Sequence, residues 1–143
     1  MMADDQKMSF SEPEIRYLKS QRLARIGTVS SGLQPDVVPV AFEYDGKHFY
    51  VGSHGQEIFL RTVKYHNVRR GNRRVSLAID DMESIDPWLP RGMKIYGTAE
   101  VVEHKGMFGP GKYLRITPKT SWSWGLKGLN IQKGEFRQKT EHT

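Results

Sequence analysis

The chain has 143 residues, no cysteine, a net charge of +6 and a pI of about 9.6. This length predicts a single domain over residues 1–143 with room for a hydrophobic core. The absence of cysteine excludes disulfides, thiol catalysis and cysteine-based metal sites, and is compatible with the reducing cytoplasm that we expect as the location. Residues 1–10 are acidic and lack an apolar segment, so the sequence predicts no signal peptide and no membrane span.

Two short helices and six strands are predicted in chain order. Ser11 and Glu14 form a capping box at the start of a helix that ends near Gln21, and the second helix covers residues 57–65. Alternating apolar and polar residues, separated by turn sequences, predict the strands. These are residues 23–30, 37–44, 48–52, 75–79, 93–102 and 112–117. The first three are expected to form a meander, and the whole set predicts a largely antiparallel β-barrel with helices in its long connections.

Two segments are predicted to be irregular. Residues 80–92 contain Pro87 and Pro90, which a central strand does not tolerate, and Pro118 ends the sixth strand for the same reason. Residues 127–143 are mostly polar and predict a loose tail.

A basic segment at residues 61–74 is the strongest chemical signal. It carries no carboxylate and six cationic side chains, which are Arg61, Lys64, Arg69, Arg70, Arg73 and Arg74. Thr62, Lys64 and Asn67 are spaced so that a hydroxyl, an ammonium and an amide can converge on one small anion. Composition alone equally allows a solvated helix face followed by a basic turn.

Other motifs predict no catalysis. Residues 106–112 match GxxxxGK but lack the Ser or Thr and the helix that a phosphate-binding loop needs, so we interpret them as a glycine-rich connection. The five histidines show no metal-binding spacing, and no serine lies in a nucleophile elbow. Asp80, Asp81 and Asp86 are interpreted as loop carboxylates with arginine partners rather than as a paired-carboxylate site.

Tryptophan and arginine lie close together in two segments. Trp88 precedes Arg91, and Trp122 and Trp124 follow the last predicted strand. Aromatic faces beside cations suit a flat conjugated ring with an acidic tail. From the residues alone, packing in the core or at a dimer interface is the favoured alternative.

Taken together, these segments resemble the pyridoxamine 5′-phosphate oxidase-like (PPOX) superfamily, whose members have a flavin-binding split β-barrel fold, and within it the F420-dependent oxidoreductase branch. The matches follow the order of the family over residues 10–126. They are Phe10-Ser11-Glu12, Gln21-Arg22-Leu23-Ala24-Arg25, Pro35-Asp36-Val37-Val38-Pro39-Val40, Thr62-Val63-Lys64-Tyr65-His66-Asn67-Val68, Asp80-Asp81, Asp86-Pro87-Trp88, Pro90-Arg91-Gly92, Gly97-Thr98-Ala99-Glu100 and Ser123-Trp124-Gly125-Leu126.

The resemblance implies a mainly β, six-stranded antiparallel split barrel that forms a homodimer with two cofactor sites at the subunit interface. The cofactor-binding residues that it implies are Arg61, Thr62, Lys64 and Asn67 for the phosphate, Val38, Pro39, Val40 and Ser53 for the ring, and Trp88, Arg91 and Trp124 for closing the pocket, some of them from the other subunit.

The resemblance also implies an oxidoreductase that uses coenzyme F420 to transfer a hydride to or from a small organic substrate, with no catalytic residue and no metal. The surplus arginines then have a use, because F420 carries a polyglutamate tail and FMN has none. One alternative is an FMN-binding oxidase, reductase or flavin carrier of the same fold. The other is a nucleic-acid binder that uses the basic segment with Tyr65 and His66. We expect neither nucleic acid nor membrane as a partner.

Overall fold

The computed structural model describes residues 9–143, and residues 1–8, in which no signal peptide is predicted, lie outside this range. None of the helices in the described range has the length and apolar character needed to span a bilayer. In chain order the elements are α1 Glu12–Ser20, β1 Leu23–Val29, β2 Pro35–Ala41, β3 Glu43–Tyr44, β4 Phe49–Val51, α2 Gln56–Phe59, α3 Val63–Arg69, β5 Arg74–Ser84, β6 Leu89–Gly106, β7 Gly109–Trp124 and β8 Gln138–Glu141.

The strands form one antiparallel sheet that closes on itself. Its order is β2-β1-β5-β6-β7-β4-β3, with β8 added on β7. The first and last strands of this order are consecutive in the chain, and only Phe42 separates them. The predicted mainly β antiparallel barrel is therefore confirmed. Within residues 9–143 the number of strands is eight rather than six, because the second predicted strand is divided at Phe42 and the tail supplies β8.

The capping box is confirmed and also joins α1 to the sheet. The Ser11 backbone N–H donates to Glu14 Oε1 at 2.9 Å, and the Ser123 hydroxyl on β7 donates to the other oxygen of the same carboxylate. Glu14 is fully buried. A buried carboxylate needs several donors, so this residue positions α1 against β7 as well as starting the helix.

The second predicted helix is wrong in its bounds, because the chain forms two helices there. Thr62 separates them: its hydroxyl donates to the Phe59 carbonyl at 2.7 Å and accepts from the Tyr65 N–H at 3.3 Å. A side chain that caps a new helix favours a restart of the chain over continuation of the old one. The break allows α3 to take a new direction. In the turn after α3, Asn72 Nδ2 donates to the Val29 carbonyl at 3.0 Å and joins this turn to β1.

The two proline predictions are also wrong, because β5 and β6 run through residues 80–92 and leave only residues 85–88 as a turn. Pro90 is tolerated because β7 ends at Trp124, which pairs with Gly92, so β6 has only one partner strand at Pro90. Pro118 lies inside β7 and pairs with Gly97, next to a bulge that leaves Lys119 without a partner on β6. The ladder is locally disrupted at a bulge, so a residue without an N–H is tolerated beside it.

Part of the predicted loose tail is ordered onto the sheet. β8 pairs with β7, Thr140 is buried, and Ser121 Oγ lies 2.8 Å from His142 Nε2. Of residues 106–112 only residues 107–108 form a turn, which joins Gly106 at the end of β6 to Gly109 at the start of β7. A strand follows this turn in place of a helix, which confirms that the segment is a connection rather than a phosphate loop.

The core lies inside the barrel. Inward-facing apolar side chains of the strands and one side of each helix form a single buried cluster, which includes Phe10, Leu18, Ile26, Phe49, Phe59, Val68, Leu77, Ile79, Ile95, Leu114 and Ile116. Because side chains alternate along a strand, the residues between these inward positions form the outer face of the sheet.

Candidate functional site

Lys64 is a buried cation on α3. It is 7% exposed, and Asn67, three residues further along the same helix, is 4% exposed. Burial lowers the pKa of the Lys64 ammonium, and the Asp36 carboxylate on β2 opposes part of this effect. Within residues 9–143 no carboxylate oxygen lies within 4.0 Å of the ammonium. A buried charge without a close counter-ion is costly, and a bound anion would remove this cost.

Asn67 joins α3 to the sheet. Its Nδ2 donates to Thr28 Oγ1 at 2.9 Å, and Thr28 on β1 pairs with Asp36 on β2. The sequence therefore predicted correctly that Lys64 and Asn67 lie together, but it missed Thr28. Because an amide nitrogen has two hydrogens, Asn67 keeps one donor for a ligand. We call the region of Lys64, Asn67 and Thr28 the α3 end of the barrel.

The other predicted phosphate residues and Ser53 differ in availability. The Thr62 hydroxyl already donates to the Phe59 carbonyl and accepts from the Tyr65 N–H, so it has no hydrogen left for a phosphate. Arg61 is exposed between α2 and α3. Ser53 follows β4, and its Oγ is buried with no hydrogen-bond partner within residues 9–143. An unsatisfied buried hydroxyl costs about 1–3 kcal/mol, so a ligand that reaches Ser53 would satisfy it.

The predicted ring residues of β2 lie on both faces of the sheet. Val40 is in the core, and Val38 packs against the core from a half-buried position. Pro39 between them is exposed. Only the Pro39 side chain therefore faces outwards, and Val38 and Val40 can meet a ligand on the outer face through their backbone alone.

The three residues predicted to close the pocket lie around the β5–β6 hairpin. Trp88 is 69% exposed in the turn. Trp124 packs so closely on Gly92 that a Cβ there would lie 2.9 Å from its ring. Arg91 donates to both oxygens of Asp81, at 2.8 and 3.1 Å. We call this region the hairpin end.

Two of the three predicted loop carboxylates, Asp80 and Asp81, have arginine partners as predicted, but they lie on β5 rather than in a loop. Asp81 pairs with Arg91, and Asp80 pairs with Arg25 at 2.7 Å. Asp81 also accepts from the Tyr17 hydroxyl at 2.8 Å. Hydrogen bonds from Arg91 lower the pKa of the Asp81 carboxyl more than any other contact does.

A single chain does not bring the two ends together. Thr28 follows Gly27, which pairs with Ser76 on β5, whereas Arg91 pairs with Asp81 further along the same strand. The levels of Ser76 and Asp81 are separated by roughly 17 Å, at about 3.3 Å per residue. Lys64 and Arg91 of one chain therefore lie too far apart to contact the same small group.

The outer face of the sheet carries an open groove of about 790 Å³ beside the α3 end. Its floor is made of small residues, because Gly27 pairs with Ser76 at the centre. Its sides include Val37, which pairs with Gly27, and Tyr96, which pairs with Ser76. A flat ring can lie on a floor without large side chains. The sequence did not predict this floor, because it depends on the register of β1 with β5.

A second depression of about 500 Å³ continues from the groove and is basic. The two share Val29, Arg74, Thr98 and Lys119 in their walls. Arg73 also lines the second depression, but its guanidinium donates to the Ala99 carbonyl at 3.1 Å. Arg74 and Lys119 are exposed and make no ion pair within residues 9–143.

The model of the pyridoxamine 5′-phosphate oxidase family matches residues 11–122. The chain belongs to this family. A 5a,11a-dehydrotetracycline/5a,11a-dehydrooxytetracycline reductase of Streptomyces rimosus is 33% identical over 125 residues, 85% of this chain and 87% of the relative. The resemblance stated from the sequence is thus confirmed, and the protein is an oxidoreductase.

Solved structures agree with this assignment at the level of the fold. A conserved hypothetical protein of Mycobacterium tuberculosis is 20% identical with a TM-score of 0.62, covering 90% of this chain and 96% of that one. A protein described as an F420 reductase is 16% identical with a TM-score of 0.54, covering 71% and 89%. At these identities the likeness establishes the oxidase-family split barrel and leaves the cofactor open.

Proposed function

We propose that the protein is an F420-dependent oxidoreductase that transfers a hydride between the bound deazaflavin and a small organic molecule. The observation that carries the proposal is the buried Lys64 ammonium, which has no close carboxylate within residues 9–143. Asn67 on the same helix bonds Thr28, which lines the flat-floored groove. This arrangement suits a planar ring with a phosphate. The 33% identity to a reductase supports the direction of the chemistry.

The residues of the α3 end would hold the phosphate. Lys64 supplies the charge and Asn67 one amide hydrogen, while the unsatisfied Ser53 hydroxyl stays a predicted contact of the ring. Gly27 and Ser76 would support the ring. When bound, the deazaflavin supplies hydride transfer and disfavours reaction with oxygen. The chain's own part is then to bind, orient and exclude water, for which no general base is needed.

The basic depression favours F420 over FMN. Arg74 and Lys119 lie where the groove continues away from its floor, and neither has a counter-ion within residues 9–143. A polyglutamate tail would place carboxylates beside them, whereas FMN ends at its phosphate. Charge-assisted hydrogen bonds to such carboxylates are among the stronger polar contacts in proteins.

A homodimer would complete the site. The hairpin end and the α3 end are separated in one chain, so Trp88, Arg91 and Trp124 would have to come from a second copy to close the pocket. A two-fold interface would produce two equivalent sites of this kind. Exposed Val37, Pro39 and Tyr96 on the outer face provide apolar surface for such an interface.

Titration of the purified protein with F420, with the same deazaflavin lacking its glutamate residues, and with FMN tests the function. We expect F420 to bind most tightly. Arg74→Met should reduce the advantage of F420 over the tail-less deazaflavin and leave the affinity of the latter unchanged. Lys47→Met, at an exposed turn, is the matched control. Equal or tighter binding of FMN would move the assignment to the FMN alternative. Binding of neither, with salt-sensitive binding of an oligonucleotide, would favour the nucleic-acid alternative.

A further inference from the structure

The end of β8 holds the bulge that borders the groove. At this bulge Lys119 of β7 has no partner on β6. The His142 N–H donates to the Lys119 carbonyl at 2.7 Å, directly after the last pair of β7 with β8, which joins Thr120 to Glu141. A bulge disrupts the ladder locally. The place of Lys119 therefore depends on this bond to the end of the chain, which we call the β8 clamp.

The side chain of His142 fixes the β8 clamp to the body of the protein. Its Nε2 lies 2.8 Å from Oγ of Ser121, a fully buried residue of β7. Its ring also packs on Phe10 with the ring centroids 4.4 Å apart, and Phe10 belongs to the core. His142 thus joins the bulge to the core, because its backbone holds Lys119 while its side chain is anchored on Ser121 and Phe10.

The bulge is also part of the proposed cofactor site. Lys119 lines both the groove and the basic depression. It is exposed and makes no ion pair within residues 9–143, so its flexible side chain is restrained chiefly through its backbone. Restraint of a flexible group before binding reduces the entropy that binding costs. The β8 clamp should therefore strengthen a contact of Lys119 with a carboxylate of the tail and leave the ring on Gly27 and Ser76 unaffected.

A proton on the imidazole would weaken the β8 clamp. Burial lowers the pKa of His142 from its ordinary value of 6.5, and the neighbouring Glu141 carboxylate opposes part of this effect. The groups that pack on the ring from β7 and from the segment before α1 are the Ser121 hydroxyl and the Phe10 ring, which are both neutral. The clamped histidine therefore takes up a proton at lower pH than a released one. The clamp is fully favoured above about pH 6.5 and is lost progressively as the pH falls below it.

We propose that His142 is a positioning residue for the cofactor tail, because it clamps the Lys119 bulge and so places the Lys119 ammonium beside the basic depression. This inference rests on the proposed function, since the tail belongs to the F420 assigned there. It gives the last residues of the chain, which the sequence predicts to be loose, a part in the choice of cofactor. Binding of F420 should therefore weaken in mild acid more than binding of the same deazaflavin without its glutamate residues.

The experiment is a calorimetric titration of the full chain with F420 and with the tail-less deazaflavin, at about pH 8 and about pH 5.5, on either side of the ordinary histidine pKa. The quantity compared is the ratio of the two affinities, in which any effect of pH on the shared ring cancels. We expect the advantage of F420 to fall several-fold in acid. His142→Ala should reduce it about tenfold at both pH values, as for the loss of one charge-assisted contact.

Two further variants separate positioning from a merely structural role. His142→Gln keeps a neutral hydrogen-bonding group for Ser121 and should keep the advantage of F420 at both pH values. His54→Gln, at an exposed histidine, should behave as the wild type does, with the same loss in acid. Hydrogen exchange without cofactor measures the β8 clamp directly: the His142 amide should be protected in the wild type and in His142→Gln, and exchange faster in His142→Ala.

An unprotected His142 amide in the wild type would overturn the inference. So would an unchanged affinity ratio in His142→Ala, or an equal loss of affinity for both deazaflavins, which would reduce His142 to a structural role. If both deazaflavins bind and only the ratio fails to respond, the proposed function stands without this inference. If neither binds, the proposed function fails and the role in tail binding fails with it, while hydrogen exchange still reports whether His142 holds the bulge.

Discussion

The hairpin end and the α3 end of the barrel both contain charged side chains, but their charges are balanced differently. At the hairpin end Asp81 accepts hydrogen bonds from Arg91, the Tyr17 hydroxyl and Gln21. At the α3 end the Lys64 ammonium is more deeply buried, yet no carboxylate oxygen within residues 9–143 comes within 4.0 Å of it.

The pKa values express this difference. Arg91 lowers the pKa of Asp81, which means that the folded state favours the charged carboxylate. Burial lowers the pKa of Lys64, which means that the folded state disfavours the charged ammonium. A charge that the fold favours contributes to stability, and one that it disfavours is expected where a ligand supplies the missing partner.

The largest effect is expected where the hairpin end of one subunit meets the α3 end of the other in the proposed dimer. Trp124→Ala should weaken self-association and cofactor binding together, because it removes a half-buried indole worth on the order of 3 kcal/mol. Sedimentation velocity and F420 titration measure the two losses. Phe136→Ala, which removes an aromatic ring that is 74% exposed, is the control. A stable monomer that binds cofactor with full affinity would show that the site lies within one chain.

Lys64→Met should weaken cofactor binding at the α3 end without destabilising the protein. It removes a charge-assisted bond to the phosphate, worth roughly 1.5–3 kcal/mol or about 10- to 150-fold in affinity. The free energy of unfolding without cofactor should stay the same or rise, because an unpaired buried charge is lost. Fluorescence titration and urea unfolding measure both quantities. A folded variant with unchanged affinity would show that Lys64 does not bind the phosphate.

Arg91→Met, unlike Lys64→Met, should lower the free energy of unfolding. Removal of the guanidinium leaves Asp81 with fewer donors in a partly exposed site, so we expect a loss of about 1–2 kcal/mol in unfolding free energy. The folded-state pKa of Asp81 is depressed, so this stabilisation is present above its ordinary value of 3.8 and is lost as the pH falls below it. The variant should therefore match the wild type in strong acid. Cofactor affinity should fall as well, because Arg91 of the second copy closes the proposed pocket. Unchanged stability would show that the pair with Asp81 does not stabilise the fold.

The smallest expected effect is a change of stability with pH in the alkaline range, which follows from the pKa of Lys64. Its folded-state pKa lies below 10.5, so the unfolded chain holds a proton over a range where the folded chain has released it. Stability without cofactor should rise with pH over this range up to about 10.5. Tyr44, whose pKa burial raises to about 12, acts in the opposite direction but equally in both proteins. The difference between wild type and Lys64→Met isolates the rise, and bound cofactor should remove it. A flat difference curve would mean that the pKa of Lys64 is the same in the folded and unfolded chain.

Local sequence signals predicted the fold well where the structure depends on neighbours in the chain. The Ser11–Glu14 capping box and the alternating strands are of this kind. The prolines were misjudged because their effect depends on strand partners: Pro90 has a partner on one side only, and Pro118 lies beside a bulge. Spacing along the chain does not contain that information.

The candidate site shows the same limit. Lys64 and Asn67 were predictable as a pair because three residues in a helix place both on one side. The floor of Gly27 and Ser76 was not, because it exists only through the register of β1 with β5. Val40 was assigned to the ring from the resemblance, but the alternation of β2 places its side chain in the core.

The continuity of β2 and β3 through Phe42 has a consequence for the order of folding. β5, β6 and β7 are joined by hairpins and can pair as soon as they are synthesised, whereas closure requires Phe49 on β4 to meet Ile116 on the distant β7. Pairings between distant segments form slowly because a long loop must be closed. We therefore expect hydrogen exchange during refolding to protect the amides of β6 before those of β4, so that a chain caught midway already has its three-stranded ribbon but not yet a ring.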